Sequence, residues 1–243
     1  MELHVAFVPQ EGIDVRRRVA VVVDVLRATT SILTLLERGC AEVIAAPTIE
    51  AARRFAADAG RSVRTAGEEG GLAPAGFDFG NSPAAFARAD VAGGRVVIAT
   101  TNGTRALHAV RGAPLVLAAC LRNRTAAARA AAEAAAADGF DVTVVCAGRE
   151  GRFSLDDAYT AGAIADAVAR QLRDRVPWVA TDAVLAARSL YEAWPDAATV
   201  FRQTAGGRNV LAIGLEEDLR YCAQPDCSEV VPRVGAGLTL MDA

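Results

Sequence analysis

Three polar segments, each directly after an apolar run, carry side chains that can bind phosphate. They read DVLRATTS (24–31), TTNGTR (100–105) and CAGREGRFS (146–154). If each segment begins a helix, its free N–H groups and the positive end of the helix dipole favour an anion. Each segment also contains an arginine, whose fork of donors matches phosphate oxygens. We therefore predict one anion site built from all three segments, with simple helix capping by their hydroxyl groups as the alternative.

The residues predicted to bind substrate lie in these segments and in the stretch at residues 67–83, which is rich in Gly and Pro. That stretch interrupts the regular pattern of the chain, and a loop of this length inside a compact domain is usually functional. The predicted substrate-binding residues are Arg27, Asn81, Thr101, Asn102, Gly103, Thr104, Arg105, Gly148 and Arg152.

Carboxylates occur at the same places, and they point to a bound cation. Acids that share a site with phosphate repel it, or must be protonated, unless a positive ion lies between them. Oxygen ligands without a histidine cluster or paired cysteines favour Mg²⁺ over Zn²⁺. The predicted metal ligands are Asp24, Glu68, Glu150 and Asp157, and the predicted catalytic residues are Asp24, Arg27 and Glu150. Asp157 follows Ser154 at the spacing of a capping box, so helix capping is its alternative role.

Three functions are compatible with these residues. The first, which we favour, is hydrolysis of a phosphomonoester by attack of metal-activated water on phosphorus. The second is a metal-free phosphatase, because Cys146 and Arg152 fit the pattern C-x₅-R of phosphatases with a cysteine nucleophile. The third is a non-catalytic sensor of small anions, which would use the arginines but not the acids.

Composition narrows the chemistry further. All 26 basic residues are arginine, so neither a Schiff-base lysine nor a P-loop lysine is available. A net charge of -3 and 5% aromatic residues provide neither the positive field nor the stacking surface that nucleic acid needs, and no apolar run is long enough to span a membrane. Five cysteines without paired spacing, and no signal peptide, predict reduced thiols in the cytoplasm. We expect a small anionic phosphomonoester as the partner, and the sequence leaves a homo-oligomer open.

Apolar runs of strand length alternate with helical stretches along the first two thirds of the chain. The runs lie at residues 19–25, 42–46, 95–101, 115–120 and 142–146. This alternation predicts an α/β fold with a largely parallel or mixed sheet, covered by helices on both faces, and a site at strand-to-helix junctions. We predict a single domain over residues 1–243, in which residues 177–243 are mainly helical cover with one possible strand at 229–234.

Four blocks of the sequence resemble the 2-phosphosulfolactate phosphatase family of coenzyme M biosynthesis. They are DVLRATTSI (24–32), GFDFGNSP (76–83), TTNGTRAL (100–107) and CAGREGRFSLDD (146–157), in the family's order. The resemblance implies Mg²⁺-dependent hydrolysis of 2-phospho-3-sulfolactate to 3-sulfolactate and phosphate, on an α/β fold particular to the family. The substrate's phosphate, carboxylate and sulfonate would each be clamped by one of Arg27, Arg105 and Arg152. The sequence departs from the family's pattern at one position, where Glu69 replaces the usual arginine. This change from a positive to a negative charge bears on the identity of the substrate more than on the type of reaction.

Overall fold

The computed structural model describes residues 1–9, 14–173 and 175–242, and within them ten strands form one sheet flanked by ten α-helices. The strands are β1 (Glu2–Ala6), β2 (Arg18–Val23), β3 (Glu42–Ala45), β4 (Val63–Gly67), β5 (Arg95–Ala99), β6 (Leu115–Ala119), β7 (Asp141–Cys146), β8 (Val179–Ala180), β9 (Pro232–Val234) and β10 (Thr239–Asp242). The helices are α1 (Ala28–Glu37), α2 (Ile49–Ala59), α3 (Pro83–Phe86), α4 (Gly103–Ala109), α5 (Arg124–Asp138), α6 (Leu155–Leu172), α7 (Asp182–Glu192), α8 (Ala197–Gln203), α9 (Ala205–Ala212) and α10 (Glu216–Cys222). In this part of the chain, no helix is both long and apolar enough to cross a membrane.

The sheet is mixed, with the strand order β4-β5-β3-β10-β9-β6-β2-β7-β1-β8. Strands β4, β5 and β3 are parallel to one another, as are β6, β2, β7, β1 and β8. Between the two groups, β10 pairs antiparallel with β3, β9 with β10, and β9 with β6. The predicted α/β class with a largely parallel or mixed sheet is confirmed, but three reversals mean that the two parallel groups run in opposite senses.

Helices α1 and α4 pack in a core that both strand groups share. Val22 of β2, Val43 of β3 and Ile98 of β5 lie in one buried cluster with Ile32 of α1 and Leu107 of α4. Both strand groups therefore contribute to one core around these two helices. Because α1 and α4 follow β2 and β5, this packing brings the ends of strands from opposite groups together.

The other face of the sheet is covered by α5 and α6. Val21 of β2 and Val144 of β7 belong to a buried cluster with Ala127 and Ala131 of α5 and Ile164 of α6. Alanine has the highest helix propensity, and its small side chain lets α5 lie close to the strands. Helices on both faces explain why β2 and β7 are continuous apolar runs rather than alternating ones.

The C-terminal region contributes to the sheet as well as to its cover. Helices α7 to α10 form between residues 182 and 222, as predicted for a mainly helical region. The possible strand at residues 229–234 corresponds to β9, while β10, like β1, β4 and β8, was not expected. The C-terminal region therefore does not only cover the sheet, because its strands β9 and β10 lie between the two parallel strand groups in the middle of the sheet.

Candidate active site

A pocket of about 170 Å³ lies where the segments after β2, β4, β5 and β7 meet helix α9. We call it the polar pocket. It is lined by Asp24, Leu26, Arg27, Glu68, Gly70, Gly71, Asn81, Thr100, Thr101, Asn102, Arg149, Glu150, Gly206, Asn209 and Val210. The structure therefore brings together seven of the predicted site residues, from four distant parts of the chain.

Glu68 connects two of the loops around the pocket. The backbone N–H of Thr101 donates to Oε1 of Glu68 (2.8 Å), and the N–H of Gly71 donates to Oε2 (2.8 Å). These two hydrogen bonds from N–H groups fix the position of the carboxylate. Glu68 thus presents a fixed negative charge beside the pocket.

Asp24 is buried at the end of β2, with one carboxylate oxygen left without a hydrogen bond. The Ala28 N–H donates to Oδ1 (3.2 Å), whereas Oδ2 has no hydrogen-bond donor among the described residues. A side chain at position 103 would clash here, since a Cβ on Gly103 would lie 2.7 Å from Oδ2. Burial raises the pKa of Asp24 to about 7, and the negative charges of Glu68 and Asp156 add to this effect. A cation beside Oδ2 would favour the charged form.

The turn after β7 is held against the segment after β5. Paired backbone hydrogen bonds between Arg149 and Arg152 (2.9 Å each) close the turn. Glu150 adopts the left-handed conformation (φ 53°), and its N–H donates to Oδ1 of Asn102 (2.9 Å). This geometry places Arg149 and Glu150 at the pocket, while Arg152 is exposed and outside the lining.

Arg27 lines the pocket, but its guanidinium is engaged in a buried ion pair. Its Nη1 donates to Oδ2 of Asp218 (2.7 Å) and its Nη2 to the carbonyl oxygen of Gly71 (2.6 Å). The side chains of Arg27 and Asp218 are only 3% and 1% exposed. Oδ1 of Asp218 also accepts hydrogen bonds from Ser82 Oγ (2.7 Å) and from the Ala84 N–H (3.1 Å). The guanidinium of Arg27 is therefore tied into the pocket's framework, and its catalytic and substrate-binding roles stay predictions.

Two polar side chains in the lining are free to bind a ligand. Arg149 has no hydrogen bond or ion pair through its guanidinium within the described ranges. Asn81 is buried, yet its Oδ1 has no hydrogen-bond partner there. A buried polar atom without a partner is costly, so it marks a place where a ligand or water binds. Asn81 is among the residues predicted to bind substrate. Arg149 is not, although it belongs to the predicted segment CAGREGRFS.

Asp157 connects two of the site's segments from beneath the pocket. The Val25 N–H donates to its Oδ1 and the Gly148 N–H to its Oδ2 (3.0 Å each). Burial raises the pKa of Asp157 well above its ordinary value, and Asp24 and Asp156 raise it further. Both oxygens accept hydrogen bonds from the backbone and Asp157 does not line the pocket, and its metal-ligand role stays a prediction. Across the described ranges, moreover, no three His, Cys, Asp or Glu side chains are grouped to hold a metal ion.

The other predicted residues lie around the pocket rather than in its lining. Thr104, in the first turn of α4, donates its hydroxyl to the carbonyl oxygen of Thr100 (2.9 Å) and accepts from the Thr100 N–H (3.3 Å). Gly103 gives room to Asp24, Gly148 donates to Asp157, and Arg105 faces a neighbouring cavity. Helix α9, from which Gly206, Asn209 and Val210 line the pocket, had no clear signal in the sequence.

Comparison with known proteins relates this site to one family. The chain matches the family model described as 2-phosphosulpholactate phosphatase over residues 6–237. It belongs to the 2-phosphosulfolactate phosphatase family.

Curated relatives of the same family cover nearly the whole chain. A protein from Thermus thermophilus named "Probable 2-phosphosulfolactate phosphatase" is 41% identical over 98% of this chain and 98% of its own length. Proteins of the same name from Deinococcus radiodurans and Synechocystis sp. are 40% and 39% identical, over 90% and 88% of this chain and 88% of each relative. The family resemblance predicted from four sequence blocks is confirmed.

The position of Cys146 does not favour its alternative role as a nucleophile. Cys146 is the last residue of β7, is fully buried, and does not line the polar pocket. Burial raises the pKa of its thiol well above the usual range, and Asp157 and Asp156 raise it further. A reactive cysteine needs an accessible thiolate in a positive environment. The structure therefore gives the C-x₅-R pattern no catalytic geometry.

Proposed function

We propose that this chain is a phosphoric monoester hydrolase that converts 2-phosphosulfolactate into 3-sulfolactate and phosphate. The observation that carries the proposal is the family match over residues 6–237, in which the polar segments meet at one pocket. The names of the relatives support the same substrate and reaction.

We propose Mg²⁺ as the cofactor, because the donors in the polar pocket suit this ion. Mg²⁺ keeps several waters and is commonly held by one or two carboxylates together with substrate phosphate. Asp24, with its free Oδ2, and Glu150, whose side chain has no hydrogen bond to the described residues, are the candidate direct ligands. Glu68 would act as a fixed neighbouring charge. When bound, Mg²⁺ neutralises phosphate charge and activates water for attack on phosphorus.

The chain's own residues would bind and orient the phosphate. Arg149 supplies a guanidinium for its oxygens, and the amide of Asn81 supplies a further contact from the buried side. Water attacks phosphorus while the bond from phosphorus to the ester oxygen breaks, and a proton from water ends on that oxygen. The negative charge that spreads over the phosphate oxygens is stabilised by Arg149.

Phosphate release from 2-phosphosulfolactate tests the proposal. We expect turnover with Mg²⁺, loss of turnover in EDTA, and recovery when Mg²⁺ is added in excess. Cys146→Ser should retain activity, because the thiol is buried outside the pocket. Turnover that survives EDTA but is lost in Cys146→Ser would support the metal-free mechanism instead. Binding without turnover would support the anion sensor.

We also propose a cytoplasmic location, which the state of the cysteines supports. All five are free thiols. Reduced cysteines are typical of the cytosol.

A further inference from the structure

A second, larger cavity adjoins the polar pocket along the segment after β5. Its volume is about 710 Å³, and Thr101 and Asn102 line both spaces. We call it the basic cavity. It is lined by Pro9, Val15, Thr101, Asn102, Arg105, His108, Ala109, Arg111, Gly112, Ala147 and Gly151.

The charge of the basic cavity is opposite to that of the polar pocket's acids. Arg105, His108 and Arg111 line it, and none of the described lining residues is a carboxylate. Among the described residues, neither Arg105 nor Arg111 has a carboxylate partner or another hydrogen bond through its side chain. His108 has its Nε2 3.2 Å from the carbonyl oxygen of Ala45, so it is partly held by the protein. Two unpaired guanidinium groups facing one cavity favour an anionic ligand.

The boundary between the two spaces is fixed by the bond from Glu150 to Asn102. The Glu150 N–H occupies Oδ1 of Asn102, which leaves the Asn102 amide nitrogen available for a ligand. Glu150 lines the polar pocket, and the next residue, Gly151, lines the basic cavity. The two spaces therefore adjoin at this turn, and a ligand bound in one lies next to the other.

We infer that the basic cavity is the subsite for the anionic tail of the substrate, with Arg105 and Arg111 as the specificity-determining residues. The inference rests on the proposed phosphatase function and names the residues that select the substrate's tail. The cavity's larger volume accommodates tails of different shape, so charge rather than size is the selected property.

The test compares an anionic with a neutral tail. We would measure kcat/KM for 2-phosphosulfolactate and for ethyl phosphate with the wild type, the double variant R105A/R111A and the control Arg54→Ala. Arg54 is an exposed arginine of α2 that lines neither space. The ratio of kcat/KM for 2-phosphosulfolactate to kcat/KM for ethyl phosphate should fall at least tenfold in R105A/R111A, mainly because KM for 2-phosphosulfolactate rises. The same ratio should stay within twofold of the wild type in Arg54→Ala. An equal loss for both substrates, or no loss for either, would overturn the inference.

Calorimetry with 3-sulfolactate decides the inference independently of turnover. The wild type should bind this product at least tenfold more tightly than R105A/R111A, while thermal unfolding shows that both chains are folded. Equal affinity, or no binding by the wild type, would count against the subsite. A wild type that binds 3-sulfolactate through these arginines but hydrolyses neither ester would defeat only the proposed function.

Discussion

The polar pocket and the basic cavity share Thr101 and Asn102, but they are built in different ways. In the polar pocket two charged groups are fixed, Glu68 by two backbone N–H groups and Arg27 by Asp218, while Arg149 is left to bind the ligand. In the basic cavity the two arginines have no ion-pair partners within the described ranges. Fixed charges around a reacting group favour transition-state stabilisation, whereas arginines without partners are available to bind an anion. The difference suggests a division between catalysis and recognition.

The largest difference between the two regions should appear in protein stability. Asp218→Ala would leave Arg27 as an uncompensated buried charge, which typically costs about 3–5 kcal/mol. Arg111→Ala removes an exposed side chain and should change the free energy of unfolding by less than about 0.5 kcal/mol. Urea unfolding measures both values.

The matched control for Asp218 is its neighbour Glu217. Glu217→Gln breaks an exposed ion pair with Arg88, whose side chain is 64% exposed, and should lower the free energy of unfolding far less than Asp218→Ala does. If Asp218→Ala were as mild as Glu217→Gln, the polar pocket would not depend on the buried pair.

Asp24→Asn should have the largest effect on catalysis. It keeps the shape of the side chain but removes the charge that faces the pocket, so kcat should fall at least ~10²-fold. Asp14→Asn is the control, because Asp14 is exposed and pairs with Arg16, two residues along the chain. The measurement is steady-state kinetics with 2-phosphosulfolactate. An unchanged kcat in Asp24→Asn would show that Asp24 takes no part in the mechanism.

The structure and the sequence prediction differ on which arginine of the turn after β7 lies at the site, Arg149 or Arg152. Arg149 lines the polar pocket and Arg152 does not. Arg149→Ala should lower kcat/KM by about 10- to 100-fold, the usual effect of losing a hydrogen bond to a charged group. Arg152→Ala should have a clearly smaller effect, and the reverse order would contradict the position of the turn.

The smallest expected effect concerns the boundary between the two spaces. Asn102→Ala removes one hydrogen bond to the Glu150 N–H, worth about 1 kcal/mol. We expect about a fivefold loss in kcat/KM with little change in thermal stability, since Glu150 is exposed. A Tm that falls as far as that of Asp218→Ala would show that Asn102 supports the fold rather than the site.

Local patterns were enough to predict much of this molecule. The apolar runs, the polar segments after them and the stretch at residues 67–83 pointed to the α/β class and to seven of the fifteen residues that line the polar pocket. These features depend on residues close together in the sequence, and hydrophobic periodicity reports them directly.

Features that depend on distant pairing were not predictable in the same way. Arg27 was expected to clamp substrate, because nothing in the local sequence indicates its partner Asp218, 191 residues away. Asp157 was expected to bind metal, but it connects the Val25 and Gly148 backbones. The strand ends were expected to share one edge of a parallel sheet. The strand ends do meet, but the two parallel strand groups run in opposite directions, because β9 and β10 lie between them in antiparallel pairings.

A crystal soaked with Mg²⁺ and orthovanadate tests most directly whether the acids of the polar pocket hold a cation beside a bound phosphate. We predict a cation within coordination distance of Asp24 Oδ2 and vanadate against Arg149 and Asn81. Vanadate bound elsewhere, or a cation that makes no contact with Asp24, would contradict the account.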